Sequence, residues 1–410
     1  MGESMNRALS RVGVVVLDLA YMSVNFSALT MLAALSSYLI KSGVSQGLLM
    51  IASAAYSVGI FAAFLAGHSK YLESRPRLVI PLAALLAAVP QMLIPYAPPS
   101  ALPLLRFLQG LVMMCLPIFS AQVGELFVSA RPFFMGLIIS GIFVGGLVGE
   151  VVGPALASAI GWREAFVVLG LCMLFMAAIW FFATPHWAIP SHRGEGSVEG
   201  ASSGRVLTKF TIVWGFSFFP TIWIVFTLAP MMKLLVMTTL GASESTASTI
   251  ATLLEISYVA WTILLGFVAY AISRGVSEPR ALFNRFATVQ LASFAMAVIG
   301  LALIALHPSV ALVMLGVIIA GIIQGTGPTF WSTPSTAYPR EIATRAGYML
   351  GLISNSAAMI GPFATLAIQH VNPIAAWISL MIMSIVGAVL TGVGMKMRLP
   401  VEEALEKLHV

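Results

Sequence analysis

Four ionisable side chains interrupt the long apolar stretches of this chain: Asp18, Arg106, Glu150 and Glu255. A charge inside hydrocarbon costs at least ~2.5 kcal/mol on insertion scales, so each is a candidate for a functional role. The three acids have the chemistry of proton carriers, since a carboxyl removed from water favours its protonated form. Arg106 offers a planar fork of donors that fits a carboxylate. Asp18 is the sole aspartate and lies about 9 Å past the start of its run, counting 1.5 Å per residue. With Tyr21 and Asn25 it makes an i, i+3, i+7 stripe of carboxylate, phenol and amide that should face a wet cavity. The plainer reading is a carboxylate near enough to the run's edge to be solvated or paired with Arg11. Glu255, about 14 Å from the outer end of its run, shares a face with Ser248, Thr252 and Thr262, with Tyr258 one turn on. Its plainer reading is a permanently neutral acid bonded to neighbouring helices.

Arg106 and Glu150 fall about 8 and 12 Å from the outer ends of consecutive runs, within side-chain reach of each other. They are expected to form a salt bridge, either static or released by a substrate carboxylate or an arriving proton. Uncharged polar and aromatic residues also recur at helical spacing: Gln324, Pro328, Trp331 and Ser335, then Tyr348, Asn355 and Pro362. Such stripes either bind solutes or join helices. Gly141, Gly145, Gly149 and Gly153 make a groove for close helix approach, and Pro154 is expected to loosen the ladder beyond it. Pro117, Pro220, Pro230, Pro328 and Pro334 are interior breakers expected to kink their helices.

The elements that hold these residues follow from composition. Of 410 residues, 59% are hydrophobic and 9% charged, which cannot dress a soluble globule of this size. Crossing a bilayer takes about 20 apolar residues in a helix, and twelve such runs can be placed. They span 12–37, 46–66, 78–97, 101–127, 133–158, 164–184, 209–232, 246–271, 285–306, 309–337, 346–370 and 374–395. Lipid offers the backbone no partner, and the runs lack the alternation of a barrel strand. The expected fold class is an all-α membrane protein. Residues 185–208, rich in Gly, Ser, His and charge, read as a linker between an N-terminal six-helix bundle (1–184) and a C-terminal one with a short tail (209–410). The halves repeat a pattern: Gly67-x3-Tyr71-x2-Ser74-Arg75 returns 199 residues later as Gly266-x3-Tyr270-x2-Ser273-Arg274. Each copy closes an apolar run and opens a basic loop, so Gly67, Arg75, Gly266 and Arg274 are candidate gating positions.

Lys and Arg fall seventeen to three in favour of the side holding both termini, leaving Arg106 within a run. That side is expected to be the cytoplasm, in a multi-pass cytoplasmic-membrane protein. The basic balance then reflects insertion and contact with anionic lipid rather than a nucleic-acid partner. The first run is too long for a cleavable signal and reads as the first membrane helix. Cys115 and Cys172 both lie in runs, so neither a disulfide nor a metal site is expected, and no cofactor is implied. With no phosphate loop and no His-Glu-x2-His, the chain is not expected to be an enzyme.

The order of these motifs resembles the major facilitator superfamily from Val12 to Met395. The resemblance rests on the loop copies, on Arg106-x2-Gln109-Gly110 with its echo Ile323-Gln324-Gly325, on Glu125 and Arg131, on Gly149-x3-Gly153-Pro154, on Gly161-Trp162-Arg163 and on Gly361-Pro362. The chain departs from the family pattern with Tyr71 and Tyr270 in place of Asp, Ser74 and Ser273 in place of Gly, and Ala157-Ser158 in place of Gly-Gly. The resemblance implies two rocking bundles, with spans 1, 4, 7 and 10 as cavity walls and 2, 5, 8 and 11 between the halves. It therefore favours Asn25, Arg106 and Trp331 as wall residues.

The expected function is secondary active transport, by a monomer, of a small polar organic solute such as an organic anion engaging Arg106. Asn25, Arg106, Gln324, Trp331 and Asn355 would bind it. Protons are the expected coupling ion, carried by Asp18, Glu150 or Glu255. The alternatives are a proton-driven exporter of apolar or cationic compounds, and a transport-inactive receptor or scaffold with the same fold.

Overall fold

A computed structural model describes residues 2–67, 69, 72, 75–189, 206–306 and 309–408, with backbone alone at 2–9, 234 and 407–408. Tyr71 and Ser74 of the first loop copy, and 190–205 of the expected linker, lie outside the described residues. Among those described there is no strand, and twelve helices are long and apolar enough to cross a membrane. These spans are Ser10–Ala34, Gln46–Ala66, Pro76–Leu93, Pro99–Leu126, Arg131–Ile160, Trp162–Ala183, Lys209–Lys233, Glu244–Ser273, Pro279–Leu306, Val310–Ala337, Arg340–Val371 and Pro373–Glu406.

Span 1 is broken where one unbroken run was expected, between Gly2–Asn25 and Ala28–Ala34 and again at Leu35. The cause is local. Ser27 takes the Val24 carbonyl with both its N–H (3.3 Å) and its hydroxyl (2.7 Å), and Asn25 Nδ2 takes the Tyr21 carbonyl at 2.9 Å. Side chains of this kind compete with the helical ladder. Span 7 instead outruns its expected end, its helix reaching Leu240 before Gly241 at φ +62° stops it. Lys233 marked the hydropathy edge, yet it continues the helix because its ammonium meets Glu244 at 2.7 Å outside the apolar core.

Four prolines deform the turn that precedes them, Pro334 by interrupting its helix at Thr333. Proline cannot donate to the carbonyl four residues back and its ring crowds that carbonyl. Pro117 follows a tight Leu111–Met114 stretch, Pro328 follows Gly321–Gly325, and Pro154 follows a wide Val148–Val152 turn carrying Glu150. The ladder thus loosens before Pro154, not beyond it. Pro220 and Pro230 sit in a helix that runs unbroken from Lys209 to Leu240.

The chain forms two compact units: 1–126 with 137–192, and 127–136 with 193–410. Within unit 1, span 5 lays its glycine groove on span 1. A Cβ on Gly145 would come 2.7 Å from the Ser23 carbonyl and 2.9 Å from Phe26, and Thr30 Oγ1 donates to the Gly146 carbonyl at 2.5 Å. Gly145→Ala should therefore destabilise by about 1–3 kcal/mol, the usual range for overpacking, seen as a lower melting temperature in detergent. Gly59 and Gly110 make a second close crossing, of spans 2 and 4, where a side chain on either would strike the other helix's backbone.

Helix ends are tied alike in both units. Arg77 donates to the Phe181 and Thr184 carbonyls at 2.8 and 3.3 Å, at the end of span 6. In unit 2, Arg280 donates to the Met397 carbonyl at 2.6 Å and clamps Glu402 through Nε and Nη2 at 2.8 and 2.5 Å. Each guanidinium meets carbonyls left open by a finishing helix. Glu402 belongs to a tail helix, Pro400–Leu408, so the short tail is folded back onto the start of span 9.

Candidate functional site

The Asp18 stripe faces protein. Asp18, Tyr21 and Asn25 are all fully buried, at 0% exposure, so the expectation of a wet cavity in front of them is not met. Nor does Asp18 pair with Arg11, which is exposed. Its Oδ1 accepts from the Trp180 indole N–H at 2.8 Å, while Oδ2 is buried with no hydrogen-bond partner among the described residues. Tyr21 OH donates to the Ile80 carbonyl at 2.6 Å, which ties span 1 to span 3. The rings of Tyr21, Phe119 and Trp180 meet at centroid distances of 5.7 to 6.3 Å, and Cys115 Sγ lies 3.6 Å from Met22 Sδ. Among the described residues, one neutral donor and no cation thus hold this carboxyl.

Arg106 is 3% exposed and its donors are directed at span 1 and its own helix. Nη1 reaches the Ala28 carbonyl at 2.7 Å and Gln109 Oε1 at 2.8 Å, and Nη2 reaches the Leu29 carbonyl at 3.3 Å. The guanidinium lies over the Tyr56 ring, 4.4 Å from its centroid. Gln109 Nε2 passes the network to Gln91 Oε1 at 2.6 Å, and Gln91 Nε2 to Met31 Sδ at 2.7 Å. Ala28 and Leu29 begin the helix after the span 1 break, so that break presents carbonyls to the fork. The expected Arg106–Glu150 salt bridge is therefore not formed: among the described residues, Arg106 bonds neutral oxygens. Depth along two neighbouring helices sets height but not azimuth, and the half-buried Glu150 lies on a turn that Pro154 widens.

In unit 2, Glu255 is 3% exposed on span 8 and is an electrostatic neighbour of Tyr258. Gln324, Trp331 and Asn355 are buried on spans 10 and 11. Among the described residues Gln324 Oε1 and Asn355 Oδ1 have no hydrogen-bond partner, while Asn355 Nδ2 bonds the Gly351 carbonyl at 2.9 Å. Trp331 packs edge-on to Phe330, which stacks on Phe218 at 4.1 Å. Buried amide oxygens of this kind are suited to accept hydrogen bonds from hydroxyl or amine groups.

A model of the Major Facilitator Superfamily matches residues 17–362. The chain belongs to that superfamily. Among solved structures, the human organic anion transporter MFSD10 (TETRAN) is similar with a TM-score of 0.73 at 14% identity, over 93% of this chain and 99% of that one. The proton:xylose symporter XylE, bound to 6-bromo-6-deoxy-D-glucose, gives a TM-score of 0.73 at 14% identity, over 94% and 95%. At that identity the likeness concerns the fold. No curated protein sequence matches.

As a member of this superfamily the chain has a multi-pass transporter fold, and its loop copies can be compared. Gly67 caps span 2, whereas Gly266 lies inside span 8, two turns before that helix ends at Ser273. Gly266 is a packing position: a Cβ there would come 2.6 Å from the Pro132 carbonyl, in the segment 127–136 of the same unit. Arg131 of that segment donates to the Ser335 carbonyl at 2.7 Å and to Thr336 Oγ1 at 3.1 Å. Arg75 and Arg274 are exposed. Sequence reasoning missed Trp180, Tyr56 and Gln91. Aromatic rings in an apolar run carry no distinguishing signal, whereas Gln91, a buried amide in the last turn of span 3, is a polar residue inside an apolar run and so carries one.

Proposed function

We propose that this superfamily member is a proton-coupled secondary transporter of a small polar organic solute, working by alternating access between its two units. The observation that carries the reading is Asp18: a fully buried carboxyl with one neutral donor and an open second oxygen. A buried acid without a cation is stable when it carries a proton, and can release it only on meeting water. Glu255, likewise buried, is the second candidate carrier. Gln324, Trp331, Asn355 and Asn25 are the solute-binding candidates, with acceptors suited to a hydroxylated or amine-bearing solute. The likeness to an organic anion transporter and a proton:sugar symporter is compatible with this class. An anionic solute engaging Arg106 has to displace the Ala28, Leu29 or Gln109 oxygens. The count of Lys and Arg supports insertion in the cytoplasmic membrane with both termini inside.

A second reading, export of cationic or apolar compounds in exchange for protons, is favoured by acids at Asp18, Glu150 and Glu255 while Arg106 is already engaged. Flux into proteoliposomes under an imposed pH gradient decides between them. Solute accumulation on the side opposite the acid bath supports the first reading, and cation extrusion against it the second. Flux that ignores the gradient for every solute tried overturns both. Glu255→Gln should slow pH-driven flux severalfold while leaving solute counterflow intact; equal loss of both marks Glu255 as structural.

A further inference from the structure

The corner that holds Asp18 has a counterpart in unit 2. Ser217 stands 199 residues after Asp18, the offset that separates Gly67 from Gly266. Its hydroxyl accepts from Gln290 Nε2 at 3.1 Å, and the same amide donates to Thr391 Oγ1 at 3.0 Å. All three groups are neutral and buried. A polar tie across the first, third and last spans of a bundle therefore needs no ionisable group. In unit 1 that corner carries a carboxyl, and the answering group is the Trp180 indole.

Among the described residues, no other polar group is bonded to this carboxyl. Cys115 of span 4 is its buried titratable neighbour, and Tyr21 of its own helix has its hydroxyl on the Ile80 carbonyl. From span 3, Arg77 is bonded to carbonyls at the end of span 6, and Arg11 below Asp18 is exposed. Span 5 meets span 1 through the bare backbone of Gly141 and Gly145. A single N–H makes up only part of what a carboxylate loses on leaving water. Among the described residues, Oδ1 is thus held by one neutral donor and Oδ2 is left open.

Resting on the proposed proton coupling, we infer that Trp180 is the positioning residue of the Asp18 proton site. Its indole N–H fixes the carboxyl, and its ring, packed with Tyr21 and Phe119, closes the site, so the proton exchanges only when water passes Trp180. The ring and the N–H have separable effects. The N–H bond favours the ionised form, so losing it should keep the proton on Asp18 to higher pH. Losing the ring should open the site at every pH.

Cys115 reports the opening, because it is fully buried beside Asp18 while the other cysteine, Cys172, is exposed and can be replaced. In a Cys172→Ala background, the rate of Cys115 labelling by a small methanethiosulfonate is measured across pH in detergent. Each rate is divided by that of the Asp18→Asn version at the same pH, which divides out the thiol's titration except for the part the Asp18 charge adds; a carboxylate beside Cys115 disfavours the thiolate, so that remainder works against the expected rise. The ratio should be near one in acid and rise at least roughly tenfold in base, as ionised Asp18 draws water in. Trp180→Phe should move that rise up by about one pH unit, the scale of one charge-assisted hydrogen bond. Trp180→Ala should label rapidly at all pH, and Trp180→Tyr, which keeps a ring and a donor, should lie between the parent and Trp180→Phe. A ratio that stays at one, no labelling at any pH, or Trp180→Phe and Trp180→Tyr curves superimposed on the parent overturns the inference. The assay uses neither solute nor gradient, so failure of proton-driven flux in proteoliposomes would count against the proposed function alone.

Discussion

Asp18→Asn is expected to abolish pH-driven solute flux while solute counterflow, which needs no net proton movement, persists. The amide is isosteric with the carboxyl and its Oδ1 can still accept the Trp180 N–H, so the corner of unit 1 keeps its hydrogen bond and its packing. What disappears is the proton: an amide mimics the protonated acid permanently and cannot cycle. Flux driven by a pH gradient and counterflow at equal pH, measured on the same proteoliposomes, provide the check. Equal loss of both would make Asp18 a structural tie, as Ser217 is in unit 2, and would move the proton to Glu255 or Glu150. The effect is large because Asp18 has no neighbouring acid among its bonded partners to take over.

Arg106→Lys should lower flux at least tenfold and reduce the melting temperature. Arg106 serves the Ala28 and Leu29 carbonyls, Gln109 and the Tyr56 face at once, with donors fixed in one plane. A lysine ammonium is a compact point charge on a flexible stem and cannot meet all four groups. Losing one charge-assisted bond to a buried acceptor costs about 1.5–3 kcal/mol. Because Ala28 and Leu29 start the helix after the break in span 1, the loosened piece is the segment beside Asn25. Solute affinity, read as a ligand-induced thermal shift, separates two roles for this residue. Unchanged affinity with reduced flux identifies a clamp on a moving helix. Affinity lost in proportion to flux identifies a direct contact with an anionic solute.

Much of this architecture is legible in one dimension. Hydrocarbon thickness fixes how many apolar residues a span needs, so the twelve runs could be counted without knowing how any helix packs. The glycines spaced by four on span 5 announced a close crossing, and span 1 lies in that groove. Boundaries failed where a side chain competes with the ladder, as at Ser27, or where a helix runs on past a charge that marks the edge of the apolar run, as span 7 does beyond Lys233. The family motif containing Arg106 was likewise visible, but its expected partner was wrong. Two residues at matched depth on adjacent helices need not meet, and the carbonyls at the span 1 break take the guanidinium instead.

The sequence by itself determined which groups are out of place in hydrocarbon, because burying Asp18, Arg106 or Glu255 is costly whatever the packing. Only the tertiary structure decided what answers each one. Trp180 lies 162 residues from Asp18, and nothing in an apolar run marks which of its rings will turn an N–H toward a carboxyl. That choice depends on the rotation of span 6 about its own axis against span 1, which hydrophobic length leaves free and helix packing fixes.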